Sequence, residues 1–459
     1  MIGNLIGPEI KELIHSRNFT ALREVVSDFS PADIAELITD LHDEDQAVVF
    51  RLLPHGLATD VMEYLDADAQ QLVLKAMGRE DAARILNDMS ADDRTALLEE
   101  LPGSAVAQLL TLLSPEERAV AQALLNYPEG SVGRLMTPDF IAVRANWTIG
   151  EVLGYIRSHG SDSETLNVIY VTDEQGRLID SVRIREFLLR PLETRVEDIH
   201  DSGFIALAAT EEAGVAVERF KKYDRNSLPV IDFEGKLLGI VTVDDMLDVQ
   251  EEEATEDIQK MGGMEVLDEP YMEVPLLGMV RKRAPWLVVL FLGEMLTTVA
   301  LSQYEHEIQK AALLAMFMPL IISSGGNSGS QASTLIIRAM ALGEVHLRNW
   351  WEVIHRELFS GVLLGGILGL VGFCWIEGSS LFSSIYGPHH FLLALTVAFA
   401  LLGVVLWGTL TGSMLPMILR RCGLDPAASS APFVATLVDV TGLVLYFSLA
   451  VFFLKGTVL

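Results

Sequence analysis

Five apolar stretches, at 284–302, 311–335, 358–376, 391–419 and 432–454, restrict this chain more than anything else in it, because none contains a lysine or arginine. A helix rises 1.5 Å per residue, so about 20 apolar residues cross the hydrocarbon core of a bilayer. The five stretches therefore predict five membrane-spanning helices. In the last of them, the only ionisable side chains between Phe433 and Leu454 are Asp439 and Tyr446. A carboxylate at that depth costs on the order of 3 kcal/mol, so such residues face water, a partner charge or a transport route. Ala435, Thr436 and Gly442 stand four before, three before and three after Asp439, which puts a small, partly polar stripe around it. The competing reading is a structural aspartate bonded to a neighbouring helix.

Charge divides the chain at the same place. Residues 281–459 hold 10 Lys+Arg and 9 Asp+Glu of the totals 33 and 63, which leaves 23 basic and 54 acidic residues in 1–280, a net charge of −31. An acidic soluble half is thus joined to a nearly neutral membrane half, and the acidity excludes a nucleic-acid partner and favours small cations. The N-terminus has no basic region followed by an apolar core, so no cleaved signal is expected. Cys374 and Cys422 support neither a disulfide framework nor a thiolate metal site. Arg281, Lys282, Arg283, Arg338, Arg348, Arg356, Arg420 and Arg421 flank the spans on the side of the soluble half, against Lys310 and Lys455 on the other. That bias places the N-terminal half in the cytoplasm and the C-terminus outside.

Residues 1–126 read as short helices. Asp33-Ile34-Ala35, Gly56-Leu57-Ala58, Asp81-Ala82-Ala83 and Ala105-Val106-Ala107 recur at steps of 23, 25 and 24, each followed by apolar residues at helical spacing. Each unit is expected to add one helix to a stacked superhelix. The acids Asp88, Asp92, Asp93, Glu99 and Glu100 read as its solvated face.

The period changes over 127–250. Short β-branched runs at Val168–Thr172, Leu228–Asp232 and Leu237–Val243 alternate with helical stretches, and two α/β units, 127–197 and 198–250, can be aligned. Ser227-Leu228-Pro229-Val230-Ile231-Asp232 followed by Gly235 to Asp245, with Met136-Thr137-Pro138 and Gly176 to Val182 in the first unit, resembles a tandem pair of CBS domains. That resemblance implies a dimerising module able to bind an adenosine nucleotide such as ATP, with Gly239, Thr242 and Asp245 matching the ribose-binding pattern. The first unit departs from it, with Asp180 and Arg183 at the Gly and Thr positions. A plain strand-turn-helix junction remains the alternative for these residues.

A helix from Asp244 to Lys260, stopped by Gly262-Gly263, opens the linker segment 251–280. Asp248, Glu252 and Glu256 share one stripe at steps of four, an arrangement of like charges that calls for cations or a basic partner. Hard oxygen ligands of this kind suit Mg²⁺. A solvated linker helix is the plainer reading. In the second apolar stretch, Pro319 precedes Ser323-Ser324-Gly325-Gly326-Asn327-Ser328-Gly329-Ser330-Gln331. Small residues there serve close helix packing or a cavity lining, and Asn327 and Gln331 favour the lining.

Taken together, an acidic helical repeat (1–126), two CBS-like units, an acidic linker helix and a pore domain (281–459) carrying GGNSGSQ and DPAASSAPFVATLVDVTG resemble the MgtE family of magnesium channels along essentially the whole chain. The resemblance implies a homodimer in the cytoplasmic membrane that takes up Mg²⁺ and is closed by high cytosolic Mg²⁺. It implies an ion path lined by the second and fifth spans, with Asp439 as pore carboxylate, Asn327 in the lining motif and Asp425 at the inner end; Thr436, on the stripe around Asp439, is a further candidate pore residue. For the cytosolic sensor it points to Asp245, Asp248, Glu253, Glu256 and Asp257, and Glu252 joins them as a candidate from its place on the acidic stripe. Glu294, in the middle of the first span, is outside the family pattern, and both local pairing and a reach to the pore stay open.

Two other classes compete. Gly326-Asn327-Ser328-Gly329 superficially matches the motif of a serine intramembrane protease, but no histidine lies within a span to act as base, so an enzyme is not expected. A proton- or sodium-coupled secondary transporter of a divalent metal would use the same Asp439.

Overall fold

The computed structural model describes residues 2–199, 203–267, 271–272, 274–305, 312–382 and 385–454. Lys310 and Lys455, the two basic residues assigned to the outer side, lie outside them. Two compact units are formed, 1–251 and 252–459.

The first unit begins with short helices: α1 (Ile2–His15), α2 (Phe19–Ser27), α3 (Pro31–Thr39), α4 (Asp43–Leu52), α5 (His55–Tyr64), α6 (Ala67–Ala76), α7 (Arg79–Asp88), α8 (Ala91–Glu99), α9 (Gly103–Leu110) and α10 (Pro115–Leu125). Starts are capped by Asn18, Ser30, Asp66 and Ser114, whose side chains accept from the backbone N–H three residues on, and Pro31 and Pro115 sit in the first turn. Alternate helices pack, α1 on α3 on α5 on α7 and α2 on α4 on α6. The repeat of about 24 residues is therefore a helix pair: its motif falls on α3, α5, α7 and α9, and an even-numbered helix that the expectation of one helix per unit missed separates them. Ile34, Leu37 and Ile38, then Val61 and Met62, then Ile85 and Leu86 occupy equivalent places in the continuous core.

Two three-stranded sheets follow. The first runs β1 (Ala142–Arg144), β2 (Val168–Thr172), β3 (Leu178–Arg183), and the second β4 (Leu207–Ala208), β5 (Ser227–Ile231), β6 (Leu237–Thr242). In each, the first pair is parallel and the second antiparallel. Helices α11 (Ile149–His159) and α13 (Ala213–Tyr223) form the crossovers, and α12 (Ile184–Leu188) and α14 (Val243–Met261) follow the hairpins. The hairpin turns are duplicates. Asp173 Oδ1 accepts from the backbone N–H of Gln175 and Arg177 at 2.9 and 2.8 Å, as Asp232 Oδ1 does from Glu234 and Lys236 at 2.8 and 2.9 Å. Gly176 and Gly235 both adopt φ +81°, open to glycine at little cost. The turns then bond each other, Leu178 N–H to the Gly235 carbonyl and Leu237 N–H to that of Gly176, both at 3.0 Å.

In the second unit the long helices are α15 (Leu276–Gln303), α16 (Ala312–Ala341), α17 (Trp350–Ser380), α18 (His390–Arg421) and α19 (Ala431–Leu454). Each overruns most of its apolar stretch because the ends carry Arg, Trp and Ser, which hydropathy discounts. Among the described residues, α15, α17, α18 and α19 are long and apolar enough to cross a membrane, α17 with Leu347–Asn349 ahead of it. α16 has the length, at 30 residues, but its Ser-Gly-Asn-rich centre dilutes it. Helix α18 is central and packs on α16, α17 and α19, while α15 packs on α19.

Candidate functional site

Helix α16 has two working faces. On one, Gly325 and Gly329 lie against Gly408 and Gly412 of α18 so closely that a methyl at Gly408 would sit 2.3 Å from the Gly325 carbonyl oxygen, and one at Gly412 would sit 2.0 Å from that of Gly329. Only glycine permits that approach. On the other, Met318, Pro319, Ile322, Ser323, Gly326 and Asn327 join Ala435 and Asp439 of α19 around a cleft of about 340 Å³. Close packing and cavity lining, set against each other in the sequence, are both served, 100° apart on one helix.

Asp439 is half-buried and makes no hydrogen bond or ion pair among the described residues. A methyl at Gly326 would stand 3.5 Å from its Oδ1, so bare backbone rather than a side chain faces the carboxylate. The alternative of a structural aspartate held by a neighbouring helix is thus not what the geometry provides. Asn327 shares the cleft. Thr436 does not line it: its hydroxyl donates back to the Pro432 carbonyl at 3.0 Å and its methyl faces Gly293 of α15. Gln331 is exposed and away from the cleft lining.

Asp425 is also elsewhere. Its Oδ1 accepts from the Ala427 N–H at 2.8 Å, which fixes the turn into Pro426–Ala428, and its Oδ2 accepts from Lys260 Nζ at 2.7 Å. Lys260 pairs as well with Glu256 at 2.6 Å. Burial, then Asp425, holds the Asp257 carboxyl above its usual range. The last turn of α14 is thereby tied to the loop that opens α19 through a lysine that the sequence reading did not single out. Gly263, at φ +73°, ends this segment against Trp286 of α15, whose Nε1 donates to Ser430 Oγ at 3.2 Å. Glu252 and Glu253 stand exposed on α14.

In the first unit the acids gather differently. Ala91, at the start of α8, is buried in one apolar cluster with Met246 and Val249 of α14, and this packing draws Asp92 and Asp93 toward the acids that open α14. Asp92 is 8% exposed and its Oδ1 has no hydrogen-bond partner among the described residues. Burial, then the Asp93 charge, pushes its carboxyl up to about 6. Burial raises Glu63 to about 7, and burial followed by Asp92 and Asp244 raises Glu164 to about 7. Asp93, Asp245 and Asp248 are raised by burial first and by their acidic neighbours second. Asp92 and Asp93 are therefore not the solvated face that the sequence suggested. Among the described residues no three His, Cys, Asp or Glu side chains converge closely enough to hold a bare metal ion.

Asp245 has a second tie. Its Oδ2 accepts from the Thr242 hydroxyl at 2.7 Å and from the Thr242 N–H at 3.1 Å, capping α14. A methyl at Gly239 would stand 2.6 Å from the Thr137 carbonyl oxygen, where the 137 segment bridges to Ile240. The junction reading of these three residues is thus fully realised in the geometry.

Comparison with known proteins meets this arrangement from outside. Residues 318–449 match the family described as Divalent cation transporter, 29–130 the MgtE intracellular N domain, and 132–193 and 196–252 the CBS domain. The magnesium transporter MgtE of Thermus thermophilus is 38% identical over 444 residues, 96% of this chain and 97% of that one. This chain belongs to the MgtE family. Magnesium transporter MgtE of Bacillus subtilis is 28% identical over 450 residues, 97% of this chain and 96% of its own length. A solved cytosolic domain of the Mg²⁺ channel MgtE in complex with ATP is 35% identical, covering 52% of this chain and 98% of that one at a TM-score of 0.51. These relatives of the MgtE family are transporters and not enzymes, in agreement with the reading above.

Proposed function

We propose that this member of the MgtE family is a Mg²⁺-selective channel for magnesium uptake across the cytoplasmic membrane, built as a homodimer of five-span subunits with its C-terminus outside. The carrying observation is Asp439, a carboxylate at membrane depth with no hydrogen-bond or ion-pair partner among the described residues, facing a cleft of glycine, serine and Asn327. Mg²⁺ gives up water reluctantly and takes octahedral geometry, so a sparse site touching its hydration shell binds it without a cage of ligands. Asp439 carboxylates from two copies, facing one another, would supply −2 to a hydrated divalent ion.

The cytosolic acids supply the sensor in this reading. Asp92, Asp93, Asp244, Asp245 and Asp248 with Glu63 and Glu164 form one group, and Glu252, Glu253, Glu256 and Asp257 on α14 another. With internal Mg²⁺ abundant, bound ions relieve their repulsion and hold α14 at the loop before α19; when it falls, the repulsion returns and the pore opens. An adenosine nucleotide at Gly239, Thr242 and Asp245 is supported by the relative solved with ATP, and would compete with the Thr242–Asp245 hydrogen bond.

Reconstitution in proteoliposomes tests the pore. Asp439→Ala should insert normally and lose Mg²⁺-selective flux, and retained selective flux would overturn the assignment. Proton flux in fixed ratio to Mg²⁺ would point to the coupled transporter instead.

A further inference from the structure

Within the five apolar stretches the sequence places two carboxylates, Glu294 and Asp439, and no lysine, arginine or histidine. The helices that carry them are in contact. Helix α15 packs on α19, and at their contact a methyl on Gly293 would sit 3.0 Å from Thr436 Cγ2. Glu294 is one residue beyond that contact and Asp439 three, so with both helices running outward they differ in height by about 3 Å, Glu294 on the inner side. The partner of Glu294 is the Thr297 hydroxyl, which donates to Oε1 at 2.9 Å and to the Glu294 carbonyl. That bond satisfies one lone pair and no charge. The side chain is exposed on the surface of the single chain, a costly place for a carboxylate in hydrocarbon. No cation of the protein lies in these stretches to neutralise it.

We infer that Glu294 is a second carboxylate of the ion path, placed just inside Asp439, where it holds the hydrated divalent cation through its water shell as the ion leaves Asp439 for the cytoplasm. With no lysine, arginine or histidine in these stretches, a passing cation is the counter-charge available to Glu294, and Thr297 orients the carboxylate without quenching it. The inference rests on the pore reading of Asp439.

The test is Mg²⁺ uptake into proteoliposomes as a function of Mg²⁺ concentration. Glu294→Gln should raise the concentration for half-maximal uptake roughly tenfold, the factor that corresponds to 1.4 kcal/mol. Asp439→Asn run alongside separates the two readings: parental behaviour in E294Q with loss in D439N overturns the role of Glu294 alone, and parental behaviour in both overturns the pore. Should E294Q fail to insert, Glu294→Cys in a chain with Cys374 and Cys422 replaced by serine decides the matter. A negatively charged methanethiosulfonate should react there, more slowly with Mg²⁺ present, and restore the parental dependence, whereas a positively charged one should not. Absence of any reaction would mean that no water reaches this depth, and would overturn the inference.

Discussion

The two units handle acidic side chains in opposite ways. In the first, burial and mutual repulsion crowd Asp92, Asp93, Asp245 and Glu164 until their carboxyls titrate nearer neutrality. In the second, Asp439 has no hydrogen-bond or ion-pair partner among the described residues and stands in a cleft faced by backbone and small side chains. A crowded group responds to ions in a graded way, because each ion bound relieves several neighbours. A solitary carboxylate either meets an ion or bears its full desolvation cost. Regulation suits the first arrangement and passage the second.

The sharpest way to break this contrast is a crossed pair of variants. Asp439→Asn should reduce selective Mg²⁺ flux to background and leave Mg²⁺-dependent hydrogen-exchange protection of 85–99 and 243–250 unchanged. Asp92→Asn should do the reverse, keeping flux while most of the protection gained with Mg²⁺ disappears. If both variants lose both properties, the division of labour fails.

Removing the buried charge of Asp92, whose Oδ1 has no hydrogen-bond partner among the described residues, should also stabilise the first unit in Mg²⁺-free buffer, by about 1–2 kcal/mol. Local opening free energies from hydrogen exchange in the full chain measure this, and a loss of stability would show that the hydrogen bonds to this carboxylate outweigh its burial cost.

A pH series sharpens the same point. Glu63, Asp92 and Glu164 have folded values of about 7, 6 and 7, above the unfolded carboxylate range near 4, so the folded form holds more protons between those limits. Their contribution is fully present below about pH 4 and is lost as pH rises through 6 to 7. Mg²⁺ should therefore add more stability at pH 7.5 than at pH 5.5, and an equal gain at both would mean that these acids are not where it binds.

The smallest effect is expected at the linker. Lys260→Gln removes an exposed to half-buried ammonium from Glu256 and Asp425, interactions worth about 1 kcal/mol or less. The Mg²⁺ concentration for half-closure should shift by a few-fold at most, with pore selectivity kept, and a change in selectivity would place Asp425 in the ion path.

Much of this was legible in the sequence. The apolar stretches, strands β2, β5 and β6, and the stop of α14 at Gly262-Gly263 follow from composition and local chemistry, while β3 entered only through the alignment of Gly176 to Val182 with the second unit. Strands β1 and β4 were missed because, at three and two residues, they carry no period. Asp92 was misread because its burial depends on Ala91 meeting Met246 and Val249, a contact across 155 residues of chain or more that no local pattern reports. The two faces of α16 were only half visible. Gly325 and Gly329 needed their counterparts, and the spacing of Gly408 and Gly412, four apart on an apolar helix, was the signal that could have found them.

Those four glycines carry a mechanical consequence. With carbonyl oxygens of α16 seated directly against the α-carbons of α18, there is no side-chain layer between the two helices to slide or repack, so they form a single stiff plank. The wall of the cleft that carries Asn327 then behaves as a stator. Any widening around Asp439 has to come from tilting this plank as a whole or from moving α19 with α15 against it, and the bond from Trp286 of α15 to Ser430, the residue before α19, couples those two in such a movement.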